Sequence, residues 1–325
     1  MDADLELRLR DAFLRADSTV GRELRRLSSQ TGSDHLVRLF DQPVALACKI
    51  RRSRYVADLL CVVDRHVLDF GSGCGFLAGV LAGCGAAAVT GVEASESRRA
   101  VASFLATEVF RAPQLRYLPS MDVLAHESVD TIILANVISH LREAPQMLGH
   151  MIRLLKPYGT VFVEDNNNNH SPLVRGRLRQ RVWPGERQAG EIIYAGQRTG
   201  FIREHYPALS AAKVAALVDA SYGLTFDELH RLIDYRSSHG VDPFALRFLR
   251  RRAPVDPDSG QYHENAFSPA EVECLLFNLG LVPVRVAPKS VFDFRPHPFV
   301  SWCFRRFPQL ALNVAPAYEV LAVRK

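Results

Sequence analysis

The chain has 325 residues, of which 48% are hydrophobic and 23% charged, and this composition excludes the disordered, collagen-like and low-complexity classes for most of its length. Forty Lys and Arg residues stand against 35 Asp and Glu residues, and the resulting charge of +5 is too small to argue for a nucleic-acid partner by itself. Six cysteines are scattered without a CxxC pair, which disfavours a disulfide framework and a cysteine-type zinc site.

The N-terminal region predicts helices and no targeting signal. Its first ten residues are rich in charge, unlike a secretory signal peptide, and apolar residues recur at helical spacing up to about residue 60. The longest uncharged run, 76–92, has 17 residues and includes four glycines, whereas a membrane span needs about 20 apolar residues. We therefore expect a helical N-terminal cap over residues 1–60, no membrane span and a cytoplasmic location.

From residue 66 onward, short apolar runs alternate with helical stretches, a pattern typical of a parallel sheet covered by helices on both faces. Between Ala144 and Leu155 the apolar side chains recur on one helix face. We expect this helix to end at the Lys-Pro-Tyr-Gly sequence of 156–159. A capping box with proline at the first helical position opens another helix at Ser268. The predicted strands are 66–70, 89–93, 115–118, 129–135, 160–164, 281–286 and 317–323.

The alternation is interrupted for about a hundred residues after the fifth predicted strand. We therefore predict three parts: the N-terminal cap, an α/β core, and a helical insert that acts as a substrate lid. Their boundaries are 1–60 for the cap, 61–165 and 266–325 for the core, and 166–265 for the insert.

The segment 67–75, VLDFGSGCG, joins a predicted strand to a helix through three alternating glycines, Gly71, Gly73 and Gly75. Glycines here allow positive φ and close backbone approach, and a helix N-terminus at a parallel sheet edge can receive a nucleotide-like ligand. The dinucleotide fingerprint GxGxxG/A is matched from Gly73, so the loop alone does not exclude NAD. Asp69 favours S-adenosylmethionine, because a carboxylate at the strand end helps a cationic amino-acid group and not a pyrophosphate.

Polar residues follow the next predicted strands at the same sheet edge. Glu93 comes about 20 residues after the loop, where an acid can accept hydrogen bonds from ribose hydroxyls. Asp122 can accept from an adenine amino group, Met121 can pack on the ring, and Asn136 would flank the methionine moiety. The full predicted cofactor-binding set is Asp69, Gly71, Ser72, Gly73, Gly75, Glu93, Ala94, Met121, Asp122 and Asn136.

The motifs VLDFGSGCG, VTGVEAS, PSMDVLA, VDTIILANVISHL, LLKPYGTVFVED and AYEVLAVRK together resemble class I S-adenosylmethionine-dependent methyltransferases, with the small-molecule enzymes of the quinone-biosynthesis type nearest. The resemblance covers roughly residues 60–165 and 268–325. It implies a Rossmann-like α/β fold with a seven-stranded sheet of order 3-2-1-4-5-7-6 and strand 7 antiparallel. The insert and a long connection over 289–316 depart from the family, so the resemblance does not extend to the acceptor pocket.

Methyl transfer needs a base only if the acceptor arrives protonated, as a hydroxyl does. His140, just after the fourth predicted strand, is the candidate base, since imidazole titrates near neutrality; a purely hydrogen-bonding or orienting role remains open. Glu164 and Asp165, after the fifth strand, are the second choice. Residues 136–139 read Asn-Val-Ile-Ser and lack the Asn/Asp-Pro-Pro-aromatic turn of enzymes that methylate nucleobase amines.

Arginines and aromatic residues of the insert can hold an anionic or sugar-bearing acceptor, or grip RNA, and the low net charge favours the first. His230 and His239 lack a suitably spaced partner, so we predict no metal site. The leading hypothesis is methyl transfer to an oxygen or nitrogen of a small molecule or glycan. The alternatives are an RNA or protein methyltransferase, a NAD-binding oxidoreductase and a catalytically silent binding module.

Overall fold

A computed structural model of the chain describes residues 3–30, 34–178, 194–221, 223–238, 264–289 and 306–325, with positions 253, 255–258, 260, 261 and 302. The described strands form one seven-stranded sheet of order β3-β2-β1-β4-β5-β7-β6. The strands are β1 (His66–Phe70), β2 (Ala88–Val92), β3 (Leu115–Leu118), β4 (Val129–Ala135), β5 (Leu155–Asp165), β6 (Leu281–Pro288) and β7 (Tyr318–Arg324).

Strand directions confirm the predicted fold class. β1 pairs in parallel with β2 and β4, β4 in parallel with β5, and β7 runs antiparallel to both β5 and β6. The chain builds outward from β1 in one direction to β3, and then crosses over to β4 on the other side. Ligands of open α/β sheets bind at such a reversal, at the carboxyl ends of the strands. The ends of β1 and β4 therefore mark the place to look for a site.

Helices cover both faces of the sheet. One apolar cluster joins the N-terminal helices to those over residues 76–83 and 96–104, and includes Phe13, Leu81 and Phe110. The other joins the helices over residues 144–154 and 269–278, and includes Leu148 and Val272. The described helices are α1 (Ala3–Leu14), α2 (Thr19–Ser29), α3 (Asp34–Val37), α4 (Pro43–Leu59), α5 (Phe76–Gly83), α6 (Glu96–Phe104), α7 (Ala144–Leu154), α8 (Pro172–Arg177), α9 (Tyr194–His205), α10 (Ala211–Ala220), α11 (Phe226–Ser238), α12 (Pro269–Asn278) and α13 (Pro308–Val314).

The start of β5 differs from the sequence prediction. Residues 156–159 lie inside β5 rather than in a helix-ending turn, because α7 stops at Leu154 and the strand begins at once. Lys156 explains this extension, since its Nζ donates to both carboxylate oxygens of Asp130 on β4 at 3.0 Å. Tyr158 adopts a φ of 62°, and the β4–β5 register shifts between Val129 and Thr131. The strand thus accommodates the proline and glycine through an irregular register.

The capping box of α12 is confirmed. The Glu271 amide donates to Ser268 Oγ at 3.2 Å, and the Ser268 amide donates back to a Glu271 carboxylate oxygen at 2.5 Å. Gly280 then ends the helix with a φ of 85°. This helix packs against β6 and β7, so the C-terminal part of the chain completes the sheet begun before the insert.

The described residues of the insert include helices α8, α9, α10 and α11, joined by turns and irregular segments. Helices α9, α10 and α11 share a small apolar cluster that includes Ile202, Leu217 and Ile233. Arg142, after β4, joins this part to the sheet by donating two hydrogen bonds of 2.8 Å to Glu228 of α11. Of the described helices, none is sufficiently long and apolar to cross a membrane. The lid role and the division into three parts stay predictions.

Candidate functional site

The glycine loop turns tightly between β1 and α5. Gly71, Gly73 and Gly75 have φ values of 69°, 55° and 76°, in the left-handed region that favours glycine. The amides of Gly71 and Ser72 both donate to the Val92 carbonyl, at 2.8 and 3.0 Å. The loop is therefore fixed to the end of β2, and Gly75 forms the N-cap of α5.

The three glycines differ in what surrounds them. A Cβ on Gly71 would lie 2.5 Å from a methyl carbon of Val137, and a Cβ on Gly75 would lie 2.2 Å from the Tyr117 hydroxyl. A Cβ on Gly73 would meet nothing within 4 Å. Gly71 and Gly75 are thus required by internal packing, whereas Gly73 faces open space, where a ligand can approach the backbone.

Asp69 is a buried carboxyl group at the end of β1, with 2% of its surface exposed. Burial raises its pKa to about 7; Glu93 adds to the rise, while Lys49 and the Ala78 amide oppose it. A buried carboxylate gains from a cationic ligand group that takes the place of lost water. Asp69 therefore suits an ammonium or sulfonium group and disfavours a pyrophosphate.

Glu93 is held by the loop that it faces. The Gly73 amide donates to one of its carboxylate oxygens at 3.0 Å, and the Ser95 amide donates to the other at 2.9 Å. Arg99 fixes the following turn by donating to the carbonyls of Glu93 and Ala94, each at 2.6 Å. Each carboxylate oxygen of Glu93 keeps a lone pair that can accept from a hydroxyl.

The end of β4 brings a second group to the loop. Asn136 has a φ of 58°, and its amide donates to the Glu164 carbonyl at 2.7 Å. Asn136 Oδ1 and Ser72 Oγ are buried without a hydrogen-bond partner. Buried polar atoms are nearly always paired, so these two atoms indicate a ligand or water in the intact protein. With the open side of Gly73 and the buried Asp69, they fit a nucleoside carrying an amino acid.

The predicted adenine-side residues lie along the same sheet edge. Met121 is buried, with 8% of its surface exposed, and follows β3, whose last residue accepts the Glu93 amide at 3.0 Å. Asp122 is exposed and is capped by the Ser120 hydroxyl at 2.5 Å. The contacts of Met121 and Asp122 with an adenine ring stay predictions, as does the role of the exposed Ala94.

His140 and Asp165 lie at the carboxyl ends of the neighbouring strands β4 and β5. His140 ends a 3₁₀ turn, Ile138–His140, directly after β4. Asp165 ends β5 and is 1% exposed. Burial raises the pKa of Asp165, while the Asn167 amide, the hydroxyl and amide of Ser139 and the charge of His140 oppose the rise. The structure thus places the first and second choices of candidate polar group beside each other.

The N-terminal cap contributes two charged side chains that were not predicted from the sequence. Lys49 of α4 acts electrostatically on Asp69, and Arg52, one turn later, lies in a buried ion cluster at the ends of β5 and β7. The sequence does contain a pattern that indicates such a role, because Lys49 and Arg52 are three residues apart and therefore lie on one face of α4. Tyr117 of β3 was also missed; its hydroxyl donates to the Gly75 carbonyl at 3.2 Å.

The ion cluster joins α4 to both strands. Arg52 Nε donates to Glu164 at 3.1 Å and its Nη2 to Glu319 at 3.0 Å, while Lys289 Nζ approaches Glu164 to 2.6 Å. Burial opposes the ionisation of Glu164, but Lys289 and Arg52 outweigh it and lower its pKa to about 2. Glu319 also accepts from Arg285 Nε at 3.1 Å. Glu164 therefore has a structural role, and its ion pairs with Arg52 and Lys289 make it unsuitable as a base.

Several residues considered in the sequence analysis lie outside the described residues. They are Arg179, Arg181 and Trp183 of the insert, His239, and positions 290–301 and 303–305 of the long connection before β7. Within the described part of the chain, no group of three His, Cys, Asp or Glu side chains is arranged to hold a metal ion.

Comparison with curated proteins finds relatives that share a name. Over 123 residues the chain is 29% identical to the ubiquinone biosynthesis O-methyltransferase of Rhodopseudomonas palustris, covering 38% of this chain and 48% of that protein. It is 33% identical over 122 residues to the namesake in Paracidovorax citrulli, covering 36% and 50%. The chain thus spans about half the length of these relatives. A longer match, 29% identical over 204 residues, covers 62% of this chain and 85% of the Thiobacillus denitrificans protein.

The chain also superimposes on solved structures of methyltransferases. A SAM-dependent methyltransferase from Aquifex aeolicus superimposes with a TM-score of 0.45 and 13% identity, over 93% of this chain and 98% of that one. An S-adenosylmethionine-dependent methyltransferase from Mesorhizobium loti gives 0.45 and 14%, over 84% and 98%.

The family model described as a methyltransferase domain matches residues 37–224, more than half of the chain. The match begins before α4 and extends through the glycine loop, β5 and α10, so it includes the cap helix and much of the insert. It agrees with the cofactor class expected from Asp69 and the loop. The chain therefore belongs to the methyltransferase-domain family, as the resemblance to class I S-adenosylmethionine-dependent methyltransferases implies, and S-adenosylmethionine is the cofactor of that family.

Proposed function

We propose that this chain transfers a methyl group from S-adenosylmethionine to an oxygen or nitrogen of a small-molecule acceptor. The observation that carries the proposal is the loop of β1, where an open glycine, a buried carboxyl group and two unpaired buried polar atoms meet at the sheet reversal. The relatives named for ubiquinone biosynthesis support a small molecule as the acceptor class.

The residues present fit the cofactor by their chemistry. Asp69 and the neighbouring Lys49 would hold the amino and carboxyl groups of the methionine moiety, and Glu93 the ribose hydroxyls. Asn136 and Ser72 would satisfy their unpaired oxygens against the same ligand. When bound, the cofactor supplies an electrophilic methyl group: the acceptor atom bonds to that carbon while the carbon–sulfur bond breaks and its electron pair goes to sulfur.

The chain's own contribution to such a displacement is alignment and exclusion of water. The acceptor would lie beyond Asn136, beside His140 and under the insert. Asn265, at the end of the insert, approaches this place, since its amide donates to the Ser139 carbonyl at 2.8 Å. The Arg142–Glu228 pair holds α11 over the same loop.

The pH dependence of ligand affinity follows from Asp69. Because its pKa in the ligand-free protein is raised from 3.8 to about 7, the carboxyl group is half ionised near pH 7 and fully ionised only about one pH unit or more above that. A cationic ligand group binds the ionised form, so affinity for S-adenosylhomocysteine is expected to be highest there and to fall as the pH drops below 7, by up to about tenfold per pH unit. Calorimetric titrations between pH 5 and 7.5 measure this slope.

The matched variants for this titration are Asp69→Asn and Asp64→Asn. The first removes the titrating group and is expected to bind weakly with a flat pH profile. The second changes an exposed aspartate just before β1 and is expected to keep the wild-type slope. A slope that persists in Asp69→Asn would exclude Asp69 as the group that meets the ligand's amino group.

The acceptor class is tested by methyl transfer from radiolabelled S-adenosylmethionine. The panel contains hydroxylated aromatic acids, monosaccharides, tRNA and a mixture of unfolded proteins. The proposal predicts label in the small molecules. Label found only in RNA or protein would contradict it and favour the macromolecular alternative.

A further inference from the structure

The carboxyl end of β5 carries a buried carboxyl group, Asp165, beside the 3₁₀ turn that ends in the candidate base. Asp165 accepts the Ser139 amide at 3.2 Å through one carboxylate oxygen, and the Asn167 amide at 2.7 Å through the other. The hydroxyl of Ser139 also hydrogen-bonds to this carboxyl group, and His140 acts on it electrostatically. One side chain therefore holds both the 3₁₀ turn that ends in His140 and the chain that leaves β5.

Asp165 does more than cap the end of β5. A carboxylate that only capped the end of β5 would need the Asn167 amide alone, which is two residues along the same chain. Asp165 instead reaches across to β4's continuation, where two of its partners belong to Ser139, the residue before His140. Fixing that turn fixes where the imidazole can point.

Other charged groups in this part of the molecule form ion pairs of their own. Arg142 is bound by Glu228 of α11, and Arg177 of α8 lies 3.5 Å from Glu264. Tyr318 of β7 faces Asp165, and burial, Asp165 and Glu271 together raise the pKa of its hydroxyl well above the ordinary value, so it stays neutral. Asp165 is thus a buried carboxyl group next to the His140 turn, and the two side chains interact electrostatically.

We infer that Asp165 is a positioning residue for His140, and that the pair suits the site to an acceptor that arrives as a protonated hydroxyl. The inference rests on the proposed function and names the acceptor group within it. The hydroxyl proton moves to an imidazole nitrogen of His140, and the oxygen keeps the electron pair with which it bonds to the methyl carbon. Asp165 stabilises the imidazolium by its charge, and the proton then leaves from His140 to solvent.

The test measures protonation at His140 without cofactor or acceptor. Diethyl pyrocarbonate acylates neutral imidazole, and mass spectrometry of the resulting peptides gives a rate for each histidine. The reading is the rate at pH 6 divided by the rate at pH 8, with the exposed His126 and His150 as references in the same sample. In Asp165→Asn this ratio is expected to rise about three- to tenfold at His140 and to stay constant at the references.

Ser139→Ala is the matched control, because it removes the hydroxyl contact to Asp165 and keeps the charge. Its ratio is expected to stay near the wild-type value, even if the turn loosens and both rates increase. An unchanged ratio in a folded Asp165→Asn protein would overturn the inference, and so would an equal rise in Ser139→Ala.

If the Asp165→Asn protein does not fold, a second measurement that does not need this variant takes its place. The difference in denaturation midpoint between wild type and His140→Gln is then compared at pH 6 and pH 8. Stabilisation of the imidazolium by Asp165 predicts a larger difference at pH 6, and an equal difference at both values contradicts it. Neither measurement depends on S-adenosylmethionine, so a failure of the proposed function would show in ligand binding instead.

Discussion

Gly73→Ala is expected to weaken the binding of S-adenosylhomocysteine by at least about 30-fold, or about 2 kcal/mol. The substituted methyl group would occupy the open space in front of the loop, where the backbone must approach the ligand closely. The fold should persist, since no protein atom lies within 4 Å of the new Cβ. The substitution is expected to lower the free energy of unfolding by about 1 kcal/mol, because alanine disfavours the left-handed backbone conformation at this position. Calorimetry and thermal unfolding measure the two effects separately.

Gly280→Ala is the control for backbone strain. Gly280 also has a positive φ, 85°, and open space around its Cβ position, but it ends α12, away from the loop. The two variants should lose similar stability, and Gly280→Ala should bind the ligand as wild type does. Equal affinity in both variants would mean that no ligand approaches Gly73.

Arg52→Met is expected to destabilise the protein by about 3 kcal/mol at pH 7, measured by urea denaturation. The substitution leaves the buried carboxylates Glu164 and Glu319 without a cation that bridges them. Lys289 and Arg285 still pair with one carboxylate each, which keeps the loss at the lower end for a broken buried ion pair.

The pH dependence of this loss has a defined sign. Pairing lowers the pKa of Glu164 from 4.5 to about 2, so its contribution is complete above pH 4.5 and is lost as the pH falls toward 2. The difference in free energy of unfolding between wild type and Arg52→Met should therefore decrease as the pH falls from 4.5 toward 2. Arg54→Met, an exposed change two residues along α4, is expected to stay within about 0.5 kcal/mol of wild type at every pH. A similar loss in both variants would refute the role of the buried cluster.

The sheet was predictable from sequence because each of its strands is a short apolar run bounded by a recognisable turn or helix. β1, β3 and β4 begin and end where the runs in the sequence do. β5 was predicted to begin five residues too late, because the proline and glycine of 156–159 are typical of a turn that ends a helix. The Lys156–Asp130 pairing that holds these residues in the sheet is not local in the sequence.

The candidate site was predictable where it follows strand ends and less so where it depends on contacts between distant segments. Glu93 could be placed by its spacing from the glycine loop. Lys49 and Arg52 lie on a helix whose sequence pattern indicates only ordinary packing against the core. Their proximity to Asp69 and Glu164 follows from the tertiary structure and not from the sequence. The contact of Asp165 with the His140 turn likewise joins two residues, Ser139 and Asp165, that are 26 positions apart in the sequence.

The central claim is that the loop of β1 binds a methionine-bearing nucleoside through Asp69. Calorimetric titration of the wild-type chain at pH 7.5 with S-adenosylhomocysteine, S-adenosylmethionine and NAD tests it most directly. The account predicts saturable binding of the first two, at one per chain, and no saturable binding of NAD. Heat from NAD alone, or from none of the three ligands, would contradict it.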